Sequence, residues 1–121
     1  MADKKLAILV RRAPYTTLDP AEAVRHAGGA LADGWDVRLL LVDDGVYLAR
    51  DGQAAGQTGF VSLSGALSKA MAKGARVMLL DRSAQMRGVM PGQPGVLPGV
   101  HVIDECALAG QLAAAGTIML Y

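Results

Sequence analysis

The chain has one thiol, Cys106, in a setting with chemical consequences. It follows the apolar run Gly99-Val100-His101-Val102-Ile103 and the acidic pair Asp104-Glu105. The helix-forming stretch Ala107-Leu108-Ala109-Gly110-Gln111-Leu112 comes next. The pattern puts Cys106 where a buried strand ends and a helix begins. Backbone N–H groups at such a turn point into the site and favour a thiolate, the nucleophilic form. The two carboxylates before it oppose ionisation. A free cysteine is also often a small buried hydrophobe, so a reactive and a buried reading both stand on sequence.

In open α/β sheets, ligands bind beyond the carboxyl ends of the strands. Here those ends are Arg11-Arg12, Asp43-Asp44-Gly45, Leu80-Asp81-Arg82-Ser83 and Asp104-Glu105-Cys106. Arg11 and Arg12, with Thr16-Thr17, suit an anion, or they form a solvated polar loop. No GxxxxGK[ST] loop occurs and no GxGxxG follows the first apolar run, so a nucleotide site has little support. Asp43-Asp44 has the look of a metal or phosphoacceptor pair. A receiver domain would also need an acidic pair after the first strand and a lysine near the last, and neither is present. A strand exit turning at Asp44-Gly45 is the simpler reading. His26 and His101 have no metal-ligand spacing to each other or to Cys106, and read as packed or exposed side chains. Ser62, Ser64 and Ser83 lack a G-x-S-x-G context. No metal and no cofactor is expected.

The elements that must position these residues follow from the apolar pattern. Leu6-Ala7-Ile8-Leu9-Val10 is a short continuous run bounded by charge, which suits a strand covered on both faces. Asp19-Pro20 opens a helix to about Ala32, with Asp19 as its N-cap and Asp33-Gly34 as its close. Gly28-Gly29 inside it costs propensity, and small residues there suggest that another element approaches closely. A second strand spans Asp36 to Val42, and one or two helical turns cover Val46 to Arg50. A glycine-rich loop follows from Asp51 to Gly59. An amphipathic helix begins at Val61 or Ser62 and ends at Lys73. The third strand is Arg76–Leu80, then comes a short helix from Asp81 to Arg87. Residues 90–99 are punctuated by proline and glycine, and no regular element fits. Val100 to Ile103, a helix from about Glu105 to Ala115, and Thr117 to Tyr121 complete the chain. This alternation predicts a single three-layer α/β domain over residues 1–121, flavodoxin-like, with a five-stranded, mostly parallel sheet covered on both faces.

Composition bounds the function. The 121 residues suffice for one core, and 52 % of them are hydrophobic but only 4 % aromatic, so the core is aliphatic. A net charge of +1 gives no electrostatic case for nucleic acid or an anionic membrane surface. One cysteine excludes an internal disulfide and favours a reducing compartment. Leu6 to Val10 is too short for the core of a secretory signal, and no run of about 18 apolar residues spans a membrane. A cytoplasmic protein is the expectation.

Several strings, in order, resemble the DsrE/DsrF/DsrH family of small sulfur-relay proteins, to which the TusBCD subunits belong. Leu39-Leu40-Leu41-Val42 followed by Asp44-Gly45-Val46 is similar to that family's strand and Asp-Gly-Val signature. Val77 to Leu80, then Ser83-Ala84 and Arg87-Gly88-Val89, is similar to its central strand and the short helix ending in Arg-Gly. The ending, an apolar strand, an Ala/Leu-rich helix and a strand closing on an aromatic residue, is closest to the DsrF/TusC branch. The resemblance implies a DsrE-like fold and assembly as trimers or hexamers, with like or unlike chains. In relay-active members a cysteine just after the central strand holds sulfur as a persulfide and passes it to a partner. Counting back from Arg87-Gly88, that position is Leu80.

Three functions follow as expectations. The first is a subunit or accessory protein in intracellular sulfur trafficking. It would be non-catalytic at Leu80 and would bind a sulfur-carrier protein at an edge containing Asp44, Gly45, Leu80, Ser83 and Cys106. The second is a persulfide carrier using Cys106, a sulfurtransferase-like activity. The third is a small-ligand-binding domain using Arg11, Arg12 and the Gly52 to Gly59 loop.

Overall fold

Short apolar runs separated by helical stretches fold here into one parallel sheet. The computed structural model describes residues 4–52 and 62–121. In chain order they form β1 (Lys5–Val10), α1 (Asp19–Ala32), β2 (Asp36–Leu41), a 3-10 segment (Asp43–Ala49), α2 (Leu63–Ala72), β3 (Arg76–Leu80), α3 (Asp81–Arg87), β4 (His101–Ile103), α4 (Glu105–Ala114) and β5 (Thr117–Leu120). The five strands run parallel in the order β4-β3-β2-β1-β5.

That order decides which face each helix covers. The chain steps outward from β1 to β4, and right-handed crossovers carry α1, α2 and α3 onto one face. It then returns past β1 to reach β5, so α4 crosses on the other face. Packing agrees. Leu6, Ile8, Val10, Val37, Leu39, Leu41, Val77 and Leu79 meet the buried residues of α1, α2 and α3 in one large aliphatic cluster. The alternate strand positions Ala7, Leu40 and Met78 form a smaller cluster with Leu108 and Leu112 of α4. Full burial of side chains such as Ile8, Leu39, Leu41, Leu67 and Leu79 stabilises the fold by about 1.5–3 kcal/mol each.

The expectation of a sheet covered on both faces is corrected at its edges. No residue of α4 is buried, and Ile118 and Leu120 of β5 are 54 % and 58 % exposed. A continuous apolar run reports that a strand can be covered, not that its own chain covers it.

Local signals also shift. Asp19 does not cap α1. Leu18 occupies the cap position without a side-chain bond, and Thr17 Oγ1 accepts the Asp19 N–H at 3.2 Å. Ser62 caps α2 by accepting the Gly65 N–H, and Asp104 caps α4 by accepting the Ala107 N–H. The turns expected over Val46 to Arg50 begin earlier, at Asp43, and are 3-10. The glycine-rich loop after Gly52 lies outside the described residues.

Two glycines separate close approach from mere permissiveness. A Cβ at Gly45 would lie 2.0 Å from the Val10 carbonyl oxygen, so only glycine lets the 3-10 segment sit against the end of β1. At Gly28 and Gly29 a Cβ would meet nothing within 4 Å, which corrects the close approach expected there. Gly45→Ala is therefore expected to cost roughly 3 kcal/mol or more in chemical denaturation, through forced backbone displacement. Gly28→Ala should stabilise by about 0.5–1 kcal/mol, since α1 gains propensity without a clash.

Candidate functional site

Four carboxyl strand ends supply the candidate residues, and the structure sorts them into two groups. The first lies beyond β1 and β2. Arg11, Arg12, Ala13, Thr16, Asp43 and Asp44 line an open cleft of about 340 Å³. Its residues are tied down from outside. Arg12 Nε is 3.4 Å from Asp19 Oδ2, and Thr16 Oγ1 donates to the Ala13 carbonyl at 2.7 Å. The cleft mixes two guanidinium groups with two carboxylates, so it is no simple anion pocket.

Asp43 carries the strained backbone of this end. Its φ is +50°, a left-handed value that aspartate tolerates better than most residues. Ser83 Oγ accepts the Asp43 N–H at 2.9 Å, and Ser83 is 4 % exposed. Arg87 completes the clasp: its Nε donates to Asp44 Oδ1 at 2.9 Å and its Nη1 to the Ser83 carbonyl at 3.3 Å. Ser83 and Arg87 thus hold the β2 exit against α3. Ser83 is buried and hydrogen-bonded, so it acts as a fastener rather than an open nucleophile. Arg87 was legible only as half of an Arg-Gly string. What marks it physically is a cation in the last turn of a short helix, facing an Asp pair.

The second group lies on the α4 side. Leu80 ends β3, pairs with Ile103 in register and is half-buried. Ile103 packs with Leu108 and Leu112 of α4. Cys106 is exposed in the first turn of α4, which settles the buried reading against itself. Adjacent strands are about 5 Å apart, so β4 and β3 bring Cys106 and Leu80 to neighbouring exits. The Arg11 exit on β1 is three strands from β4, about 15 Å away. Asp44, Gly45 and Ser83 therefore belong with the arginine cleft, and Leu80 and Cys106 with α4. The single edge expected to unite them is divided by the sheet.

His26 is half-buried, and its Nδ1 is hydrogen-bonded to the Tyr121 hydroxyl, across 95 residues of sequence. Burial, and then the Glu22 carboxylate, push the Tyr121 phenol above its usual value. Glu22 is held below the usual carboxylate range, first by its hydrogen bond to Arg25. His101 is exposed. Among the described residues no group of His, Cys, Asp and Glu is arranged to hold a metal. No helix among them is long and apolar enough to cross a membrane.

A parallel sheet ordered β4-β3-β2-β1-β5, with an Asp-Gly turn after β2 clasped by an arginine from the helix after β3, defines a small α/β domain of DsrE-like architecture. The chain matches the DsrE/DsrF-like family over residues 4–119 and belongs to that family. It is similar to the crystal structure of the ychN protein from E. coli, with a TM-score of 0.86 and 24 % identity over 97 % of this chain and 98 % of that one. A protein of unknown function from Methanobacterium thermoautotrophicum superposes with a TM-score of 0.68 and 19 % identity, over 97 % and 99 % of the two chains. An uncharacterized protein of Methanopyrus kandleri is 28 % identical over 85 residues, 69 % of this chain and 68 % of that one.

Two tests probe the geometry. Ser83→Ala orphans the Asp43 N–H and should cost about 1–2 kcal/mol, whereas Asp43→Gly should gain about 1 kcal/mol by relieving the left-handed strain. Denaturant titration measures both. For Tyr121, the fold prefers the neutral phenol, so its contribution is fully present below the unfolded value of about 10 and is lost as pH rises through the higher folded value. Tyr121→Phe should lower stability by about 1 kcal/mol at pH 7 and flatten the decline above about pH 10 in thermal melts.

Proposed function

We propose that this chain is a subunit or accessory protein of intracellular sulfur trafficking, without relay chemistry at the usual family position. The observation that carries the reading is Leu80. It stands at the exit of β3, where relay-active relatives are expected to hold sulfur, and an aliphatic side chain has no atom that can form an S–S bond. The clasp of Asp44, Ser83 and Arg87 at the neighbouring β2 exit is nevertheless intact. A retained scaffold beside an exit without a sulfur atom fits a protein that binds and assembles. Its partners in this reading are like or unlike family chains, in a trimer or hexamer, and a sulfur-carrier protein.

One observation favours a second reading, in which Cys106 carries the sulfur. The thiol is exposed at the start of α4, one strand from Leu80. Its chemistry would be sulfur exchange. The Cys106 thiolate attacks the terminal sulfur of a donor persulfide, R–S–SH, and the donor S–S bond breaks. R–S⁻ leaves with the bonding electrons and takes up a proton, and Cys106–S–SH remains. Donor and acceptor exchange one sulfur with no added oxidant.

Intact-mass measurement after treatment with a low-molecular-weight persulfide separates the two. The expected result is no one-sulfur gain on the wild-type chain and a gain on Leu80→Cys/Cys106→Ser. A one-sulfur gain on wild type that Cys106→Ser abolishes replaces the first reading with the second.

A further inference from the structure

The cleft beyond β1 and β2 has a charge pattern that neither reading of the thiol uses. Arg11, Arg12, Ala13, Thr16, Asp43 and Asp44 line about 340 Å³, a volume within the range of small-ligand sites. The cleft lies at the carboxyl end of β1, the strand from which the sheet extends both ways, toward β2 and toward β5. Ligands of parallel α/β sheets bind beyond such ends.

Four charges line the cleft, and the fold leaves two of them open. Arg12 is paired with Asp19, and Asp44 with Arg87. Among the described residues, Arg11 and Asp43 form no ion pair, with each other or with any other group. Both are exposed. They leave neighbouring strands, since Val10 pairs with Leu41 and the Val42 N–H donates to the Val10 carbonyl at 3.0 Å. Those strands are about 5 Å apart. An anion here gains Arg11 and is opposed by Asp43. A cation gains Asp43 and is opposed by Arg11. A molecule with both signs close together satisfies the two at once.

The walls are set in advance. Among the described residues, Asp43 and Tyr15 are the two non-glycine residues with left-handed backbones, at φ +50° and +70°. Asp43 belongs to the β2 wall, and Tyr15 to the loop after β1 that forms the other. Each wall is held by bonds at its back. The Tyr15 hydroxyl accepts the Leu63 N–H at 3.0 Å, Thr16 Oγ1 donates to the Ala13 carbonyl at 2.7 Å, and Ser83 Oγ accepts the Asp43 N–H at 2.9 Å. Such strain persists where the surroundings over-determine it, and it concentrates at ligand sites. Walls fixed beforehand lower the ordering cost of binding.

We propose that this cleft binds a small zwitterion, an α-amino acid, with its carboxylate on the Arg11 guanidinium and its ammonium on the Asp43 carboxylate. The guanidinium fork matches a carboxylate, and the Asp43 carboxylate accepts from an ammonium. Ala13 is the one apolar residue of the lining, so a polar amino-acid side chain suits the remaining volume. Leu80 and Cys106 take no part, so this site and the sulfur reading stand or fall separately.

Amide chemical shifts of the isotope-labelled full-length protein test it, with L-alanine and L-glutamine as probes at neutral pH. Both should shift the amides of Arg11, Thr16, Asp43 and Asp44 along a saturating curve. Propionate is alanine without its ammonium, and ethylamine is alanine without its carboxylate. Each should bind more weakly than L-alanine by about fivefold or more. Arg11→Gln and Asp43→Asn should each weaken L-glutamine binding by a similar factor. Asparagine tolerates the left-handed backbone, so Asp43→Asn keeps the turn. Arg76→Gln, an exposed position at the amino end of β3, should leave binding unchanged. Resonances away from the cleft report that each variant is folded. Propionate binding as tightly as L-alanine, or Asp43→Asn binding as tightly as wild type, makes this an anion cleft and overturns the zwitterion. Indifference to Arg11→Gln, or no saturable shift at these amides with either amino acid, overturns it as well.

Discussion

The order in which the strands are laid down governs the rest of this molecule. β2, β3 and β4 are added outward from β1, and the chain then crosses back to place β5 on the far side of β1. Right-handed crossovers convert that reversal into an asymmetry of covering. Three helices share one face with a large aliphatic cluster, and a single ten-residue helix serves the other. The thin side ends in an edge strand with exposed Ile118 and Leu120. Neither proline nor charge guards that edge, which soluble proteins usually protect or pair. The thick side is closed by its own helices, while the thin side leaves apolar positions of β5 exposed.

A second constraint acts at the carboxyl ends of β1 and β2. The Val10 carbonyl leaves no room for a Cβ at Gly45, so the 3-10 segment packs directly on the end of β1. The tight exit forces Asp43 into a left-handed conformation, and Ser83 and Arg87 hold it there from α3. β3 leads directly into the same helix, so Leu80 is placed by the β3–β4 ladder, where it pairs with Ile103, and by an α3 that the clasp ties to the β2 exit. The clasp is indifferent to the residue at position 80, and a leucine can replace a cysteine there without loosening the exit.

Much of this was legible in the sequence because it is local. β3 and α3 are bounded by charge and by Gly88, whose φ of +68° closes the helix as a glycine should. The helix starts expected at Val61 or Ser62 and at about Glu105 fall where the side chains of Ser62 and Asp104 cap α2 and α4. Asp19 does not cap α1, because Leu18 holds the cap position and the Asp19 N–H is itself bonded by Thr17, two residues earlier. What the sequence hid is relational. The bond from His26 to Tyr121 and the ion pair from Arg87 to Asp44 join residues far apart in the chain. Apolar content foretold that β5 could be covered, and only topology shows that it is not. The candidate site suffered from the same blindness. Its residues all fall at strand exits, as expected, yet the sheet splits them between the arginine cleft and α4.

Cys106 gathers these threads. Its thiol is exposed because no described residue covers the outer side of α4. The proposed reading and its alternative ask different things of that exposure. Sulfur exchange at Cys106 needs the first turn of α4 open to a donor, whereas the non-relay reading asks nothing of the thiol. With leucine at position 80 the exit of β3 offers no sulfur atom, so any relay chemistry would rest on the exposed Cys106 and on the acidic neighbours that oppose its ionisation.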